Sequence, residues 1–177
     1  MAKALIVVDM QNDFVSGVLG TKEAQEMLPR LVEKLEKVSA EKSADIIFTQ
    51  DTHGENYLET QEGKNLPVVH CVKKTNGWEI VPELQKFTKD AKAVIEKKSF
   101  GSTRLPSLLK PYEEVEFVGV CTDICVVSNA LLLKAFYPEQ IVSVDANCCA
   151  GSSPKNHIEA LNTMKNCQCI LKNFDEV

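Results

Sequence analysis

The segment Gly119-Val120-Cys121-Thr122-Asp123-Ile124-Cys125 combines residue types that could form a nucleophilic site. A β-branched, apolar run leads into it, and Thr and Asp are preferred N-cap residues, so we predict that a helix begins at about Ile124. Cys125 would lie in the first turn, where unpaired backbone N–H groups and the helix dipole lower the pKa of a thiol. The same N–H groups could bind an oxyanion. The alternative is a buried structural cysteine, a common role of free cysteines.

Chemically capable residues also stand at the ends of other predicted strands. Asp9, Asp51 and Lys97 each follow a short apolar run. In a parallel sheet such residues meet at the carboxyl edge, where ligands bind beside the switch in strand order. With the common order 3-2-1-4-5-6, strands 1 and 4 are neighbours, so Asp9 would face Cys125. A carboxylate beside a thiol can act as its base, and a nearby lysine stabilises both anions. Taken singly, each of these could be an ordinary polar residue at the end of a strand.

A second cluster combines histidines with carboxylates. Asp51 and His53 are one residue apart at a predicted strand end, and Glu62 and His70 follow in the next segment. These side chains are good ligands for a divalent metal ion of borderline softness, although a polar loop would also explain them. The chain has three histidines, so His157 alone remains outside this cluster, and we predict that it lies on the surface. A Cys-His catalytic pair is then disfavoured, which leaves the carboxylate after the first strand as the base.

Apolar runs and helical periodicity predict the elements that must position these residues. Six short strands alternate with helices, which is typical of βαβ units, a parallel sheet and an α/β fold. We predict strands over 4–8, 46–48, 93–96, 115–120, 141–144 and 169–171, and helices over 23–42, 80–87, 105–110, 124–136 and 154–165. Residues 52–67 have no periodicity, and a structureless loop of that length usually has a function. We therefore expect a single domain over 1–177, a three-layer αβα sandwich around a six-stranded, mainly parallel sheet.

Composition narrows the classes of partner and compartment. The net charge of −5 and the pI near 5.3 argue against binding to nucleic acid or to an anionic membrane. No apolar run reaches the roughly 18 residues of a spanning helix, and the N-terminus lacks a signal-peptide pattern, so we expect a cytoplasmic protein with reduced thiols. The seven cysteines include no C-x-x-C pair, which disfavours a thiol redox or metal-storage protein but keeps it as an alternative.

Together these motifs resemble the isochorismatase-like cysteine hydrolases, and within them the nicotinamidase/pyrazinamidase branch. The resemblance is carried by Asp9 with Asn12-Asp13-Phe14, the Asp51-x-His53 pair, His70-Cys71, Lys97-x-x-Phe100 and, above all, the G-V-C-T-D-I-C signature at 119–125. It covers almost the whole chain, and the motifs occur in the family's order. It implies that Asp9, Lys97 and Cys125 form a catalytic triad.

The resemblance further implies a metal centre and an oxyanion hole. A divalent ion, most simply Zn²⁺, would be held by four side chains: Asp51, His53, His70 and Glu62. The glutamate matches a ligand that some nicotinamidases add to the other three. A non-proline cis peptide bond at Val120–Cys121 would direct the backbone N–H of Cys121, together with that of Cys125, towards the oxyanion.

The substrate pocket departs from the family's pattern. Many nicotinamidases carry a tryptophan in a W-P-x-H segment, where this chain has Leu66-Pro67 and no aromatic residue. Phe14 and Phe100 match family aromatic positions and could still sandwich a planar ring, so with Leu66 they are the candidate substrate-binding residues. The resemblance implies hydrolysis of nicotinamide to nicotinate and ammonia through a thioester, a reaction of NAD salvage. N-carbamoylsarcosine-type amides, an isochorismatase-like activity and a silent binding module remain alternatives, and a homo-oligomer is allowed.

Overall fold

The computed structural model of the protein describes residues 2–174, so the predicted domain bounds of 1–177 extend beyond them at both ends. The strands are β1 (Lys3–Val8), β2 (Asp45–Asp51), β3 (Ala93–Lys97), β4 (Glu114–Val120), β5 (Ile141–Ala150) and β6 (Ile170–Lys172). The α-helices are α1 (Asn12–Val15), α2 (Lys22–Glu41), α3 (Gln61–Asn65), α4 (Pro82–Thr88), α5 (Leu105–Leu109), α6 (Val127–Phe136) and α7 (Pro154–Asn166). None of the helices within 2–174 is long and apolar enough to cross a membrane.

The sheet has the predicted strand order. Its strands run β3-β2-β1-β4-β5-β6, and every neighbouring pair is parallel. The order reverses between β1 and β4, so the ends of these two strands border the crevice where ligands bind in such sheets. The prediction of a mainly parallel sheet in the order 3-2-1-4-5-6 is therefore confirmed.

Helices cover both faces of this sheet and form the outer layers of a three-layer αβα sandwich. Leu5 and Val7 of β1 pack on one face with α2 and α4, whereas Ala4 and Ile6 pack on the other face with α5, α6 and α7. This division follows from the two-residue period of a strand. Because both faces are covered, the central strands are apolar along most of their length, which is why short apolar runs located them correctly.

The turn after β4 differs from the prediction. Residues Thr122–Val126 form a π-helical turn, called the π-turn below, and α6 begins only after it. Neither Thr122 nor Asp123 caps a helix, because the Thr122 hydroxyl bonds to His157 and the Asp123 carboxylate accepts hydrogen bonds from Ser152. His157 itself is half-buried, so its predicted place on the surface is wrong.

Strand β5 is longer than predicted. It continues past Asp145, its predicted end, to Ala150. A register shift between Phe117 and Gly119 of β4 lets the two strands pair again, so that Cys149 lies opposite Gly119. The run D-A-N-C-C-A lacks the β-branched residues by which strands are recognised, and the apolar pattern therefore missed this extension.

Residues 52–67 are not the structureless loop that their lack of periodicity suggested. Tyr57–Glu59 form a 3-10 turn, and α3 follows directly. Thr60 caps α3 by accepting a hydrogen bond from a backbone N–H of that helix at 3.0 Å. The buried ring of Tyr57 anchors the segment, and its hydroxyl donates to the Leu66 carbonyl oxygen at 2.9 Å. Local bonds of this kind leave no hydrophobic period in the sequence.

Gly119 of β4 should tolerate no side chain. Its φ is +112°, and a Cβ atom there would lie 2.2 Å from the Val8 carbonyl oxygen. We expect Gly119→Ala to lower the free energy of unfolding by at least about 3 kcal/mol, or the Tm by roughly 6–12 °C, in thermal denaturation. Gly101→Ala is the matched control, since a Cβ atom there meets nothing closer than 3.4 Å. Similar Tm values for the two variants would contradict the close approach of β4 to β1 at Gly119.

Candidate active site

A buried cluster of charged side chains lies at the carboxyl edge of the sheet. Asp9 follows β1, Asp51 ends β2 and Lys97 ends β3, and each is at most 3% exposed. Lys97 Nζ lies 2.6 Å from Asp9 Oδ2, 3.1 Å from Asp51 Oδ1 and 3.4 Å from Cys125 Sγ. The structure thus brings together the strand-end residues that were predicted to meet there, with one ammonium group in contact with all the others.

Asp9 is held in place by β2. It adopts a left-handed conformation with a φ of +49°, which Asp tolerates better than most residues. Its backbone N–H donates to the Thr49 carbonyl oxygen at 3.2 Å, and Thr49 Oγ1 donates to Asp9 Oδ1 at 2.7 Å. Thr49 was not among the predicted site residues. The available signal was its position two residues before Asp51, which places both side chains on one face of the neighbouring strand.

Burial and charge set the pKa values of the acid and the lysine. Burial raises the pKa of Asp9, although the Lys97 ammonium opposes this effect. Burial by itself would lower the pKa of Lys97, but the neighbouring charges of Asp9, Cys125 and Asp51 raise it above its ordinary value. Lys97 is therefore charged at neutral pH. Beside this ammonium, the Asp9 carboxylate is more basic than an exposed one.

The prediction of a lowered thiol pKa at Cys125 is wrong. This side chain is 5% exposed, and its burial raises the pKa, as does the Asp9 carboxylate, against the opposing effect of Lys97. Apart from its contact with Lys97, Asp9 Oδ2 has no hydrogen-bond donor within residues 2–174. That oxygen therefore remains available to the thiol proton. The site pairs a protonated thiol with a base and does not hold a preformed thiolate.

Four metal-donor atoms converge beside this cluster. Asp51, His53, Glu62 and His70 each offer one ligand atom, and these atoms all lie within 4.8 Å of one another. Nε2 of His53 is 3.0 Å from Asp51 Oδ2, and Glu62 Oε1 is 3.6 Å from Nε2 of both histidines. All four predicted ligands are therefore together, although they come from the end of β2, from α3 and from the segment that follows α3.

The donor set suits a divalent cation such as Zn²⁺. His70 Nδ1 donates to the Val68 carbonyl oxygen at 2.7 Å, which leaves Nε2 as the lone-pair donor. The carboxylates of Asp51 and Glu62 lie near a third at Asp9, and a single ammonium compensates them. Burial raises the pKa of Glu62, and the Asp51 carboxylate adds to this effect, as expected where negative charge is in excess. Two imidazoles and two carboxylates are ligands that zinc accepts.

Asp51 joins the two clusters. Its Oδ1 contacts Lys97, and its Oδ2 faces the histidines. Although burial favours a higher pKa for Asp51, its hydrogen bond with His53 and the nearby imidazole of His70, whose Nε2 is 3.7 Å away, lower that pKa below the ordinary value. The side chain of Gln11 fixes the Asp51 backbone, accepting from its N–H at 2.7 Å and donating to its carbonyl oxygen at 2.8 Å. Gln11 was also missed; the signal was a polar residue two positions after Asp9, just past the end of β1.

A cavity of about 250 Å³ borders both the thiol and the metal-donor cluster. It is lined by Phe14, Leu19, Thr21, Asp51, Glu62, Leu66, His70, Phe100, Cys121, Ile124, Cys125 and Ser152. The three predicted substrate-binding residues, Phe14, Leu66 and Phe100, are all in this lining. The other four lining residues, Leu19, Thr21, Ile124 and Ser152, were missed because no spacing rule relates them to the thiol. The volume is at the small end for ligand sites, so a small molecule fits it best.

The predicted oxyanion-binding residues border the same cavity. The Val120–Cys121 peptide bond is cis, as the resemblance implies. Cys121 and Cys125 both line the cavity wall. Their backbone N–H groups as oxyanion donors stay a prediction.

The cavity lies at the carboxyl edge of a parallel sheet and is bordered by a thiol, a carboxylate base and a metal-donor cluster. This arrangement is that of an enzyme that acts on small molecules. The chain belongs to the isochorismatase family, since residues 3–173 match the Isochorismatase domain. The family predicted from the motifs is thereby confirmed.

Relatives in this family match nearly the full length of the chain. The Bacillus subtilis protein described as "Uncharacterized isochorismatase family protein PncA" is 28% identical over 178 residues, which cover 94% of this chain and 96% of its own. The crystal structure of the nicotinamidase/pyrazinamidase PncA from Bacillus subtilis has a TM-score of 0.83 at 25% identity and covers 98% of this chain and 100% of its own. The pyrazinamidase of Pyrococcus horikoshii in complex with zinc has a TM-score of 0.85 at 30% identity, with the same coverage.

Lys97 should be indispensable for stability because it neutralises two buried carboxylates. Lys97→Met keeps the length of the side chain but leaves Asp9 and Asp51 without their cation. Removal of one partner from a buried ion pair typically costs about 3–5 kcal/mol, which for a chain of this size lowers the Tm by roughly 6–20 °C. Lys98→Met is the matched control, since Lys98 is exposed. Chemical denaturation at pH 7 measures the free energy of unfolding of each variant, and thermal denaturation measures its Tm. An equal loss of stability in the two variants would rule out the proposed role of the ammonium.

Proposed function

We propose that the chain is a cysteine amidohydrolase that converts a small primary carboxamide, with nicotinamide as the first candidate, to the acid and ammonia. The observation that carries the proposal is the position of Lys97 Nζ, 2.6 Å from Asp9 and 3.4 Å from Cys125 Sγ, beside a cavity of small volume. The relatives named as nicotinamidase and pyrazinamidase support an amide as the substrate.

In the first half of the reaction, Asp9 accepts the thiol proton as Cys125 Sγ attacks the amide carbonyl carbon. The carbonyl oxygen becomes an oxyanion, which the backbone N–H groups of Cys121 and Cys125 stabilise. Asp9 then returns the proton to the amide nitrogen, and the C–N bond breaks. Ammonia departs, and the acyl group remains bound to Cys125 as a thioester. The raised pKa of Asp9 suits both directions of this transfer, since the same group must be a base first and an acid later.

In the second half, water attacks the thioester carbonyl carbon while Asp9 takes one of its protons. The C–S bond breaks, the acid leaves, and the proton returns to Cys125. Lys97 forms no bond to the substrate in either half. Its ammonium stabilises the carboxylate of Asp9 and the sulfur as negative charge moves between them, which keeps the pair aligned through both steps.

The metal ion, for which we propose Zn²⁺, would be held by Asp51, His53, Glu62 and His70. When bound, it supplies a Lewis acid that can ligate a ring nitrogen of the substrate or acidify a water molecule. We favour the ring nitrogen, because Cys125 and Asp9 already provide a nucleophile and a base. The zinc complex of the Pyrococcus horikoshii pyrazinamidase supports the choice of metal.

The cavity wall argues for a flat, largely apolar acyl group. Phe14 and Phe100 both border the cavity and could enclose a ring, while Leu66 supplies an aliphatic wall. Because an aliphatic wall selects a planar ring less strictly than an aromatic one, N-carbamoylsarcosine-type amides form the second substrate class to assay. Nicotinamide as the substrate would place the enzyme in NAD salvage, in the cytoplasm.

The nucleophile and the base should be separable by substitution. Ammonia release from nicotinamide should fall to background in Cys125→Ala, and by about 10²- to 10⁴-fold in Asp9→Asn, which keeps the shape of the side chain but cannot accept the proton. A coupled ammonia assay with nicotinamide, pyrazinamide, benzamide and N-carbamoylsarcosine measures this. Cys167→Ala, at an exposed cysteine, is the control and should retain the wild-type rate. Wild-type protein that releases no ammonia from any of the four amides, but titrates as a dithiol, would support the redox alternative instead.

Metal removal should discriminate between the two roles of the ion. If the ion orients the pyridine nitrogen, treatment with a chelator or His53→Ala should raise the KM for nicotinamide far more than that for benzamide, which lacks the ring nitrogen. Elemental analysis before and after treatment reports the metal content independently of activity. Equal losses on the two substrates would instead favour the water-activating role. Full activity of metal-free protein on both substrates would reduce the cluster to a polar loop.

A further inference from the structure

A hydrogen bond links α7 to the turn that carries the thiol. Nδ1 of the half-buried His157 lies 2.7 Å from Thr122 Oγ1. Thr122 is fully buried and is the first residue of the π-turn, three residues before Cys125. Gly151 lies close to the same part of α7, since a Cβ atom on it would be 2.8 Å from the His157 backbone nitrogen. The chain between β5 and α7 therefore packs directly against the imidazole-bearing residue.

The next residue of the π-turn is held from the same side. Ser152 donates to the Asp123 carboxylate from its backbone N–H at 2.8 Å and from its hydroxyl at 2.5 Å. Asn156 Nδ2 in turn donates to Ser152 Oγ at 2.9 Å. The side chains of Thr122 and Asp123 cap no helix; α7 itself holds Thr122, and the segment just before α7 holds Asp123. The position of the π-turn is set by a part of the chain some thirty residues away.

The imidazole is in the right charge state for this bond. Burial lowers the pKa of His157, although the Asp123 carboxylate opposes the shift. The ring is therefore neutral at pH 7, and a neutral Nδ1 can pair with a hydroxyl group as donor or as acceptor. His157 does not line the cavity. The side-chain hydrogen bond to Thr122 therefore gives His157 its direct link to the turn that carries Cys125.

We propose that His157 is a positioning residue, which through Thr122 fixes the π-turn and with it the direction of the Cys125 sulfur and of the N–H groups beside it. The proposal rests on the proposed function, in which Cys125 is the nucleophile. A displacement of a nucleophile by about 1 Å can lower a rate by as much as 10²-fold, so a bond that orients the turn affects turnover even though it touches no substrate.

The kinetic test compares three variants of α7. His157→Ala should lower kcat by about tenfold to a hundredfold with little change in KM, because the bound substrate loses only its alignment with the sulfur. His157→Asn places an amide group near the former Nδ1 and should restore most of kcat. Asn162→Ala, exposed on the same helix, is the control for helix stability. A purely structural role would show as a fall in Tm that the asparagine variant does not repair, with kcat per folded molecule unchanged.

A double-mutant cycle tests whether the effect passes through Thr122. Thr122→Val removes the hydroxyl and keeps the shape, so it should reproduce the loss of kcat in His157→Ala. Residues that act through one shared hydrogen bond are not additive. The double variant should therefore be no slower than the slower single variant. Losses that simply multiply would overturn the proposal.

A readout without substrate separates this proposal from the proposed function. Iodoacetamide, itself a small primary amide, alkylates Cys125 at a rate that peptide mass spectrometry can follow. His157→Ala should change that rate several-fold, while the rate at the exposed Cys167 stays constant. If the wild-type protein hydrolyses no amide, the proposed function fails, yet this measurement still reports on the π-turn. An unchanged alkylation rate at Cys125 in folded His157→Ala would overturn the proposal.

Discussion

Two carboxylates at the carboxyl edge of the sheet share one buried ammonium group. Asp9 and Asp51 can remain ionised at such low exposure because Lys97 Nζ lies within 3.1 Å of both. The desolvation of three charges is costly, so each is tolerated only while the other two are in place. Because the partners come from three neighbouring strands, this interaction ties the chemistry of the site to the register of the sheet.

The same ammonium also decides how the thiol can react. Lys97 favours the anionic form of Cys125, but burial and the nearby carboxylate of Asp9 disfavour it more strongly. In the proposed reaction such a thiol needs a base when it attacks, and Asp9, the proposed base, has a raised pKa of its own. Proton transfer within the pair is therefore better balanced than if a free thiolate lay beside a weakly basic carboxylate.

The metal-donor cluster extends this network rather than standing apart from it. Asp51 contacts Lys97 through one oxygen and the histidines through the other. A cation bound by the histidines would therefore change the electrostatic potential at Lys97. The cavity lies along both clusters and is walled by Phe14, Leu66 and Phe100. An amide held there would have its reacting group and its ring governed by one connected set of charges, which is consistent with the family to which the chain belongs.

The sequence alone determined the strand pattern, the parallel sheet and the gathering of Asp9, Lys97 and Cys125, because residues that follow parallel strands must meet at one edge. The sequence also grouped Asp51, His53, Glu62 and His70, and the structure brings their donor atoms within 4.8 Å of one another. Tertiary structure decided what depends on distant segments: the extension of β5, the π-turn in place of a capped helix, and the upward shift of the Cys125 pKa. Local patterns report propensity, whereas burial and a contact such as that between Thr122 and His157, 35 residues apart, exist only after the layers have packed.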